Sequence, residues 1–371
     1  MKHSYPHILL NKEICLANIQ RMALKAKKNN LKFRPHFKTH QSIEIGEWFK
    51  NAGVSACTVS SFPMAQYFAN AGWSDITVAF PASPFDSDII NQLAKSIKLN
   101  IIVSSYKNLC AIESKVLNKV GVYIELDMNY GRSGLNPENN REIAVLVNQI
   151  VQNSSYEFKG FLIHTGQTYN AKSKEEVEVL HRKSLKILTQ IKAFWKDQYP
   201  EISVSYGDTP SCSISEEFWG VDEIRPGNFV FYDLTQASIG SCSIENIAVA
   251  LICPVVDVYP ERGEAIIRGG AVHLSKDSLS NPDQTKSFGM VCPFDGKTWN
   301  SPYDGLWLKS ISQEHGVIGS NDLEQIATLK PGQLVAILPV HSCLTVDAMG
   351  ELFLTDGTDI GTMRRRINNV Q

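Results

Sequence analysis

No apolar run in this 371-residue chain reaches the roughly 18 residues a helix needs to span a bilayer, so no membrane segment is expected. A charge excess of one sign is missing too. There are 36 Lys and Arg against 38 Asp and Glu, a net −2, so no basic field invites nucleic acid. The N-terminal stretch MKHSYPHILLNKE lacks the apolar core of a secretory leader. The eight cysteines (15, 57, 110, 212, 242, 253, 292 and 343) include no CxxC. In a chain this long they read as reduced thiols of a cytoplasmic protein, mostly core filler, and not as a disulfide framework. There is no low-complexity tract and no repeat with a period of roughly 20–50 residues.

What is abundant is apolar surface, at 43% of the residues. That suffices for a large core and for more than one ordinary domain. Over the first two thirds, short apolar runs alternate with amphipathic helical stretches. Strands are expected at 31–36, 54–60, 75–80, 99–104, 120–127, 158–165, 202–207 and 223–231. Strand–helix alternation implies parallel strands joined by right-handed crossovers. Eight such units point to an α/β fold, a (β/α)₈ TIM-type barrel. An open doubly wound sheet is the alternative, but no GxGxxG turn follows the first strand. After about residue 243 the helical pattern nearly vanishes, and strand-like runs joined by turns follow. An all-β C-terminal domain is expected there. The division reads as a barrel over 12–242 and a β domain over 243–371, with residues 1–11 pairing with the latter.

Chemistry in such a barrel belongs to the C-terminal ends of its strands. After the first strand stands RPHFKTH (34–40), with Lys38 among Arg34, His36 and His40. The plain reading is a surface lysine beside a turn. The sharper one is a partly desolvated amine near other cations, with a lowered pKa, which suits a Schiff-base nucleophile. After the seventh strand, YGDTPS (206–211) offers Gly207, Thr209 and Ser211 as an anion cup at a strand-to-helix turn. GNF (227–229) at the eighth is a second such turn, with Gly227 and Asn228. A lysine at strand one with cups at strands seven and eight fits pyridoxal phosphate: the aldehyde takes the amine and the phosphate takes the cup.

His164, closing the sixth strand, is either a satisfied core histidine or a ring stacked on a planar cofactor. Asp127 and Arg132 flank strand five, where a loop salt bridge is the plain alternative. In PVHSCLTVD (339–347), His341 and Cys343 lie two apart on an expected strand and so point to one face. Imidazole with thiolate makes the start of a Zn²⁺ site, although a His-x-Cys pair also arises by chance.

Together these motifs resemble the D-threonine aldolase and D-serine dehydratase-like family, pyridoxal phosphate enzymes of the alanine racemase fold. RPHFKTH, GRSG (131–134), HTGQTY (164–169), SYGDTPS (205–211), EIRPGNFVFYD (223–233), SQEHG (312–316) and LPVHSC (338–343) follow in the family's order. The resemblance implies that Lys38 carries the cofactor, and that Arg132, His164, Tyr169, Gly207, Thr209, Gly227 and Asn228 contact it. It further implies Zn²⁺ (or Mn²⁺) on His341 and Cys343, and a head-to-tail homodimer with the active site at the subunit interface. The small-molecule substrate would be a D-3-hydroxy amino acid. The Cys of HSC looks like the dehydratases, so elimination to a keto acid and ammonia leads. Cα–Cβ cleavage of the aldolase type, racemisation and a non-catalytic pyridoxal phosphate carrier are the alternatives.

Overall fold

The computed structural model describes residues 4–281 and 283–364. Residues 1–3 and 365–371, the ends of the spans assigned above, and residue 282 lie outside the described residues. The chain divides into two compact units, one of residues 20–38 and 46–227, the other of residues 1–19, 39–45 and 228–371.

The first unit carries eight parallel strands: Lys32–Phe33, Cys57–Val59, Asp75–Pro81, Lys98–Val103, Val120–Leu126, Tyr156–Ile163, Ser203–Tyr206 and Glu223–Ile224. Each neighbours the next, and the first pairs with the eighth through Lys32↔Glu223 and Phe33↔Ile224. A parallel bridge His36↔Thr58 joins the first to the second, where the Thr58 N–H donates to the Pro35 carbonyl at 2.9 Å. The sheet is thus closed, as a (β/α)₈ barrel requires. The expected strands are all present, but the first and the eighth are only two residues long. Pro226 has no N–H for a ladder, and a 3₁₀ turn over Asn228–Val230 follows.

The crossover helices start where their sequences place caps. Ser61, Ser105, Asn139, Ser173 and Asp208 each accept a backbone N–H from the first helical turn. The core under the first strand is aromatic. Phe37 is fully buried, with ring centroids 5.2, 4.9 and 4.8 Å from Phe49, Phe68 and Trp73.

The second unit is mainly antiparallel. Val249–Tyr259, Glu264–Arg268, His315–Ser320, Leu306–Ile311, Gly289–Pro293 and Leu334–Pro339 pair in that order, and the last returns to the first, closing a six-stranded barrel. Leu251, Val255, Ile267, Val291, Leu308, Ile318 and Ile337 fill it. His7–Leu10 extends the sheet antiparallel to Val249–Tyr259, with Leu352–Leu354 beyond. Helices do occur here: Leu323–Ala327 and Ser342–Met349 interrupt the strands. All eight cysteines are free thiols. Among the described residues no helix is long and apolar enough to cross a membrane.

Candidate active site

Lys38 sits on a 3₁₀ turn, Phe37–Thr39, just past the C-terminal end of the first barrel strand. Its position follows from its neighbours. Pro35 ends the strand and Phe37 drops into the aromatic core, which turns the next side chain outward. Lys38 is exposed, so the desolvation expected from the sequence is absent. Nor does Arg34 crowd it. Arg34 faces the opposite end of the barrel, where its guanidinium binds Glu223 at 2.6 Å and Asp75 at 2.7 Å. His40 lies in the other unit, buried, its Nδ1 accepting the Ser42 N–H.

The barrel mouth still collects the groups named from sequence. His36 is held well below the usual imidazole range, by burial first and then by Lys38, Arg225, His164 and Arg132. His164 is pulled down to about 3, chiefly by burial and by Arg132. Both rings are therefore neutral at pH 7. His164 Nδ1 lies 2.8 Å from the Gly207 carbonyl, which can only accept, so Nδ1 carries the proton and Nε2 the lone pair. Arg132 does not pair with Asp127. It stacks over the Tyr130 ring at 5.5 Å, while Asp127 caps its own loop by accepting the Tyr130 and Gly131 N–H groups.

The cup after the seventh strand is built as a turn that tolerates no side chain at Gly207: a Cβ there would lie 2.9 Å from the Arg225 backbone. Asp208 caps the following helix, accepting the Ser211 N–H at 2.7 Å and the Thr168 hydroxyl at 2.9 Å. Burial lifts its carboxyl to about 6. Thr209 donates its N–H to the Tyr169 hydroxyl at 3.2 Å, and its own buried hydroxyl has no partner. A buried orphan hydroxyl is costly unless a ligand meets it, and a phosphate oxygen would. The donor set therefore fits pyridoxal phosphate.

Arg225 was not singled out from the sequence. It is buried, bound through Nε to Ser205 Oγ at 2.6 Å and through a terminal nitrogen to the Ile163 carbonyl, and burial lowers it to about 10. Its field reaches His36 and His164 from below the mouth. The only signal was an arginine before Pro-Gly, which reads as a turn. Tyr130 was also missed: its ring covers Gly166, where a Cβ would meet it at 2.5 Å.

In the other unit, His341 follows the strand Leu334–Pro339 but is not on it. It is the N-cap of the helix Ser342–Met349, so Cys343 belongs to a first helical turn. The period-two argument for one shared face thus fails. Pro339 stops the strand, and the Asp233 carboxylate accepts the Ser342 N–H at 3.0 Å to start the helix. The two side chains meet all the same. Burial opposes it, but hydrogen bonding and charge from Cys343, Asp233 and Asp277 raise His341 to about 9. Cys343 moves the other way: burial is outweighed by His341 and by the Thr39 hydroxyl. The Thr39 hydroxyl and the Asn228 amide each stand 3.4 Å from Sγ. Asn228 also donates to Asp233 at 2.6 Å, so its side chain serves this cluster. Asp277 binds His341 Nδ1 at 2.7 Å and so fixes the ring.

Thiolate and imidazole suit a borderline-soft metal such as Zn²⁺. Among the described residues no group of three or more His, Cys, Asp or Glu could hold a metal.

Residues 11–234 match a family model described as the alanine racemase N-terminal domain, and residues 248–355 match one described as a putative serine dehydratase domain. The chain is 29% identical over 367 residues to a D-serine dehydratase of Dictyostelium discoideum, covering 92% of this chain and 90% of that one. It is 29% identical over 338 residues to a D-threo-3-hydroxyaspartate dehydratase of Delftia sp. strain HT23, covering 88% of each. A solved structure described as a cysteine-to-alanine mutant of D-threo-3-hydroxyaspartate dehydratase in the metal-free form superposes with a TM-score of 0.88. It is 25% identical and covers 96% of this chain and 97% of that one.

Proposed function

The chain belongs to the alanine racemase N-terminal-domain family, and on that premise we propose that it is a pyridoxal phosphate-dependent lyase that dehydrates a D-3-hydroxy amino acid. The observation that carries this reading is Lys38, presented on a rigid turn at the barrel end that also gathers two neutral imidazoles and Arg132. The dehydratase relatives support the choice of elimination.

Bound pyridoxal phosphate supplies an aldehyde for amines and a ring that stabilises negative charge at a substrate α-carbon. A divalent ion supplies Lewis acidity to a hydroxyl. The chain's residues do the rest. The Lys38 amine would hold the cofactor and, when free, would be the base placed to take the substrate's α-proton. Thr209 with the Gly207 and Gly227 turns receives the phosphate, and Tyr169 flanks it. His164, locked by the Gly207 carbonyl, presents an uncharged ring beside the mouth. Arg132 supplies a cation for a carboxylate. His341 and Cys343 hold Zn²⁺ (or Mn²⁺), with Asp277 fixing the imidazole. Loss of water across Cα–Cβ, followed by hydrolysis, yields one keto acid and one ammonium per substrate.

In this reading residues 12–242 carry the cofactor and 243–371, with 1–11, the metal pair. The working form is a head-to-tail homodimer in the cytoplasm. Phe80, near the end of the third barrel strand, and Phe85, just beyond it, are 63% and 98% exposed and supply an apolar rim for such a partner.

Incubation with D-serine and with D-threo-3-hydroxyaspartate tests the reaction, and keto acid with ammonium is the expected product. Glycine with an aldehyde and no keto acid would overturn elimination in favour of aldol cleavage. Borohydride reduction of the holoprotein should leave its adduct on Lys38. Mapping it to another lysine removes the basis of the reading. Chelation should abolish turnover while sparing the bound cofactor.

A further inference from the structure

The inside of the parallel barrel carries charge where barrels normally carry aliphatic layers. Asp75, Arg34, Glu223, Ser205 and Arg225 form one hydrogen-bonded column that rises from the N-terminal end of the strands towards the mouth. Arg34 donates through Nη1 to Asp75 at 2.7 Å and through Nε to Glu223 Oε2 at 2.6 Å. Glu223 Oε1 accepts the Ser205 hydroxyl at 2.7 Å, and Ser205 Oγ accepts the Arg225 Nε–H at 2.6 Å. Arg34, Glu223, Ser205 and Arg225 are each at most 5% exposed.

The direction of every bond follows from the groups. A guanidinium only donates and a carboxylate only accepts. Ser205 therefore gives its one proton to Glu223 and a lone pair to Arg225. The two arginines differ in what they meet. Arg34 touches two carboxylates. Arg225 touches none among the described residues. Its acceptors are Ser205 Oγ and the Ile163 and Ser205 carbonyls, the latter two at 2.5 and 3.3 Å. A buried guanidinium with only neutral acceptors is costly unless an opposite charge stands near. Glu223, one hydroxyl away, is that charge. It leads the groups that oppose the effect of burial on Arg225, ahead of Tyr123, Cys212 and Glu125. The Arg225 field in turn reaches His36 and His164 at the mouth.

We propose that Ser205 and Glu223 are positioning residues for Arg225: the hydroxyl fixes the plane of the guanidinium below the mouth and links it to the Glu223 charge. Without Ser205 Oγ, Arg225 Nε and Glu223 Oε1 each lose a partner in a dry interior, and the guanidinium is free to turn.

Ser205→Ala should weaken pyridoxal phosphate binding by about tenfold and reduce the induced circular dichroism of the cofactor's visible band. The same substitution in an Arg225→Met background should change affinity by less than about twofold, because nothing is left there for Ser205 to position. A loss of equal size in both backgrounds, or no loss in the natural one, overturns the proposal. This arm rests on the pyridoxal phosphate reading. A natural protein that takes up no cofactor overturns that reading, and the second arm then decides alone. In cofactor-free protein with isotope-labelled arginine, the Arg225 Nε–H is identified by its disappearance in Arg225→Lys. It should exchange with solvent at least about tenfold faster in Ser205→Ala. Equal exchange overturns the proposal. Should Ser205→Ala not fold, an Arg225 Nε–H that exchanges in the natural protein as fast as those of exposed arginines overturns it, and a protected one supports it.

Discussion

Two segments of this chain turn a corner directly after a proline and place chemistry on the corner. RPHFKTH leaves its strand at Pro35 and LPVHSC leaves its strand at Pro339. The local device is the same, yet the electrostatics are opposite. Around Lys38 the neighbours are cations and half-buried neutral rings, so the imidazoles are driven down. Around His341 the neighbours are Asp233, Asp277 and a thiol, so the imidazole is driven up and the thiol down. The first arrangement sets an exposed amine beside imidazoles held neutral. The second sets an imidazole driven up beside a thiol driven down, a donor pair of the kind a borderline-soft metal takes. A strand-ending proline thus specifies where a group stands, and the charges brought in from distant sequence specify what it is.

That contrast can be broken most severely at Lys38. Lys38→Ala should lower turnover by about 10⁴-fold, equivalent to about 5.5 kcal/mol, and abolish the borohydride adduct. Metal content should not change, because the second segment does not depend on the amine. Atomic emission on the purified variant checks this. Next in size is the anchor beneath the amine. Phe37→Ala removes a fully buried ring packed on three others and should cost about 3–5 kcal/mol in urea unfolding. Any folded remainder should bind cofactor poorly, since the turn loses its fixed direction.

At the second segment, Asp277→Asn keeps the shape but weakens the hold on His341 Nδ1. Zn²⁺ affinity should fall by about 10–100-fold, read by chelator competition, with the Lys38 adduct intact. A variant that binds metal normally would remove Asp277 from the positioning role.

The two regions should also respond to pH with opposite sign. His164 and His40 have folded pKa values near 3, below the unfolded 6.5. Their contribution is present above pH 6.5 and is lost as pH falls, at up to about 1.4 kcal/mol per unit for each. His341 has a folded value near 9, above the unfolded one, so its contribution is complete below pH 6.5 and fades as pH rises through 9. In metal-free protein, thermal unfolding across pH 4–10 should show both flanks, and His341→Gln should flatten only the alkaline one. The smallest effect concerns one hydroxyl. Thr209→Val should weaken cofactor binding by about 1 kcal/mol, roughly fivefold, without altering the apoprotein's melting temperature.

Much of this molecule is legible without coordinates. Alternating apolar and amphipathic runs determine eight parallel strands and an all-β remainder, because burial imposes periods of two and 3.6 on any chain that folds this way. RPHFKTH and the order of the later motifs likewise point to one lysine and one cofactor class. Tertiary structure alone decided the rest. Period two placed His341 and Cys343 on a strand, whereas Asp233, over a hundred residues earlier, captures the Ser342 N–H and starts a helix there. Arg34 looked like a neighbour of Lys38, but Asp75 and Glu223 draw it to the far end of the barrel. Arg225 reads as a turn residue until the closed sheet buries it under the mouth. In each case the deciding partner lies far away in sequence. Local periodicity reports which residues are buried, and only the folded chain reports which charges they are buried with.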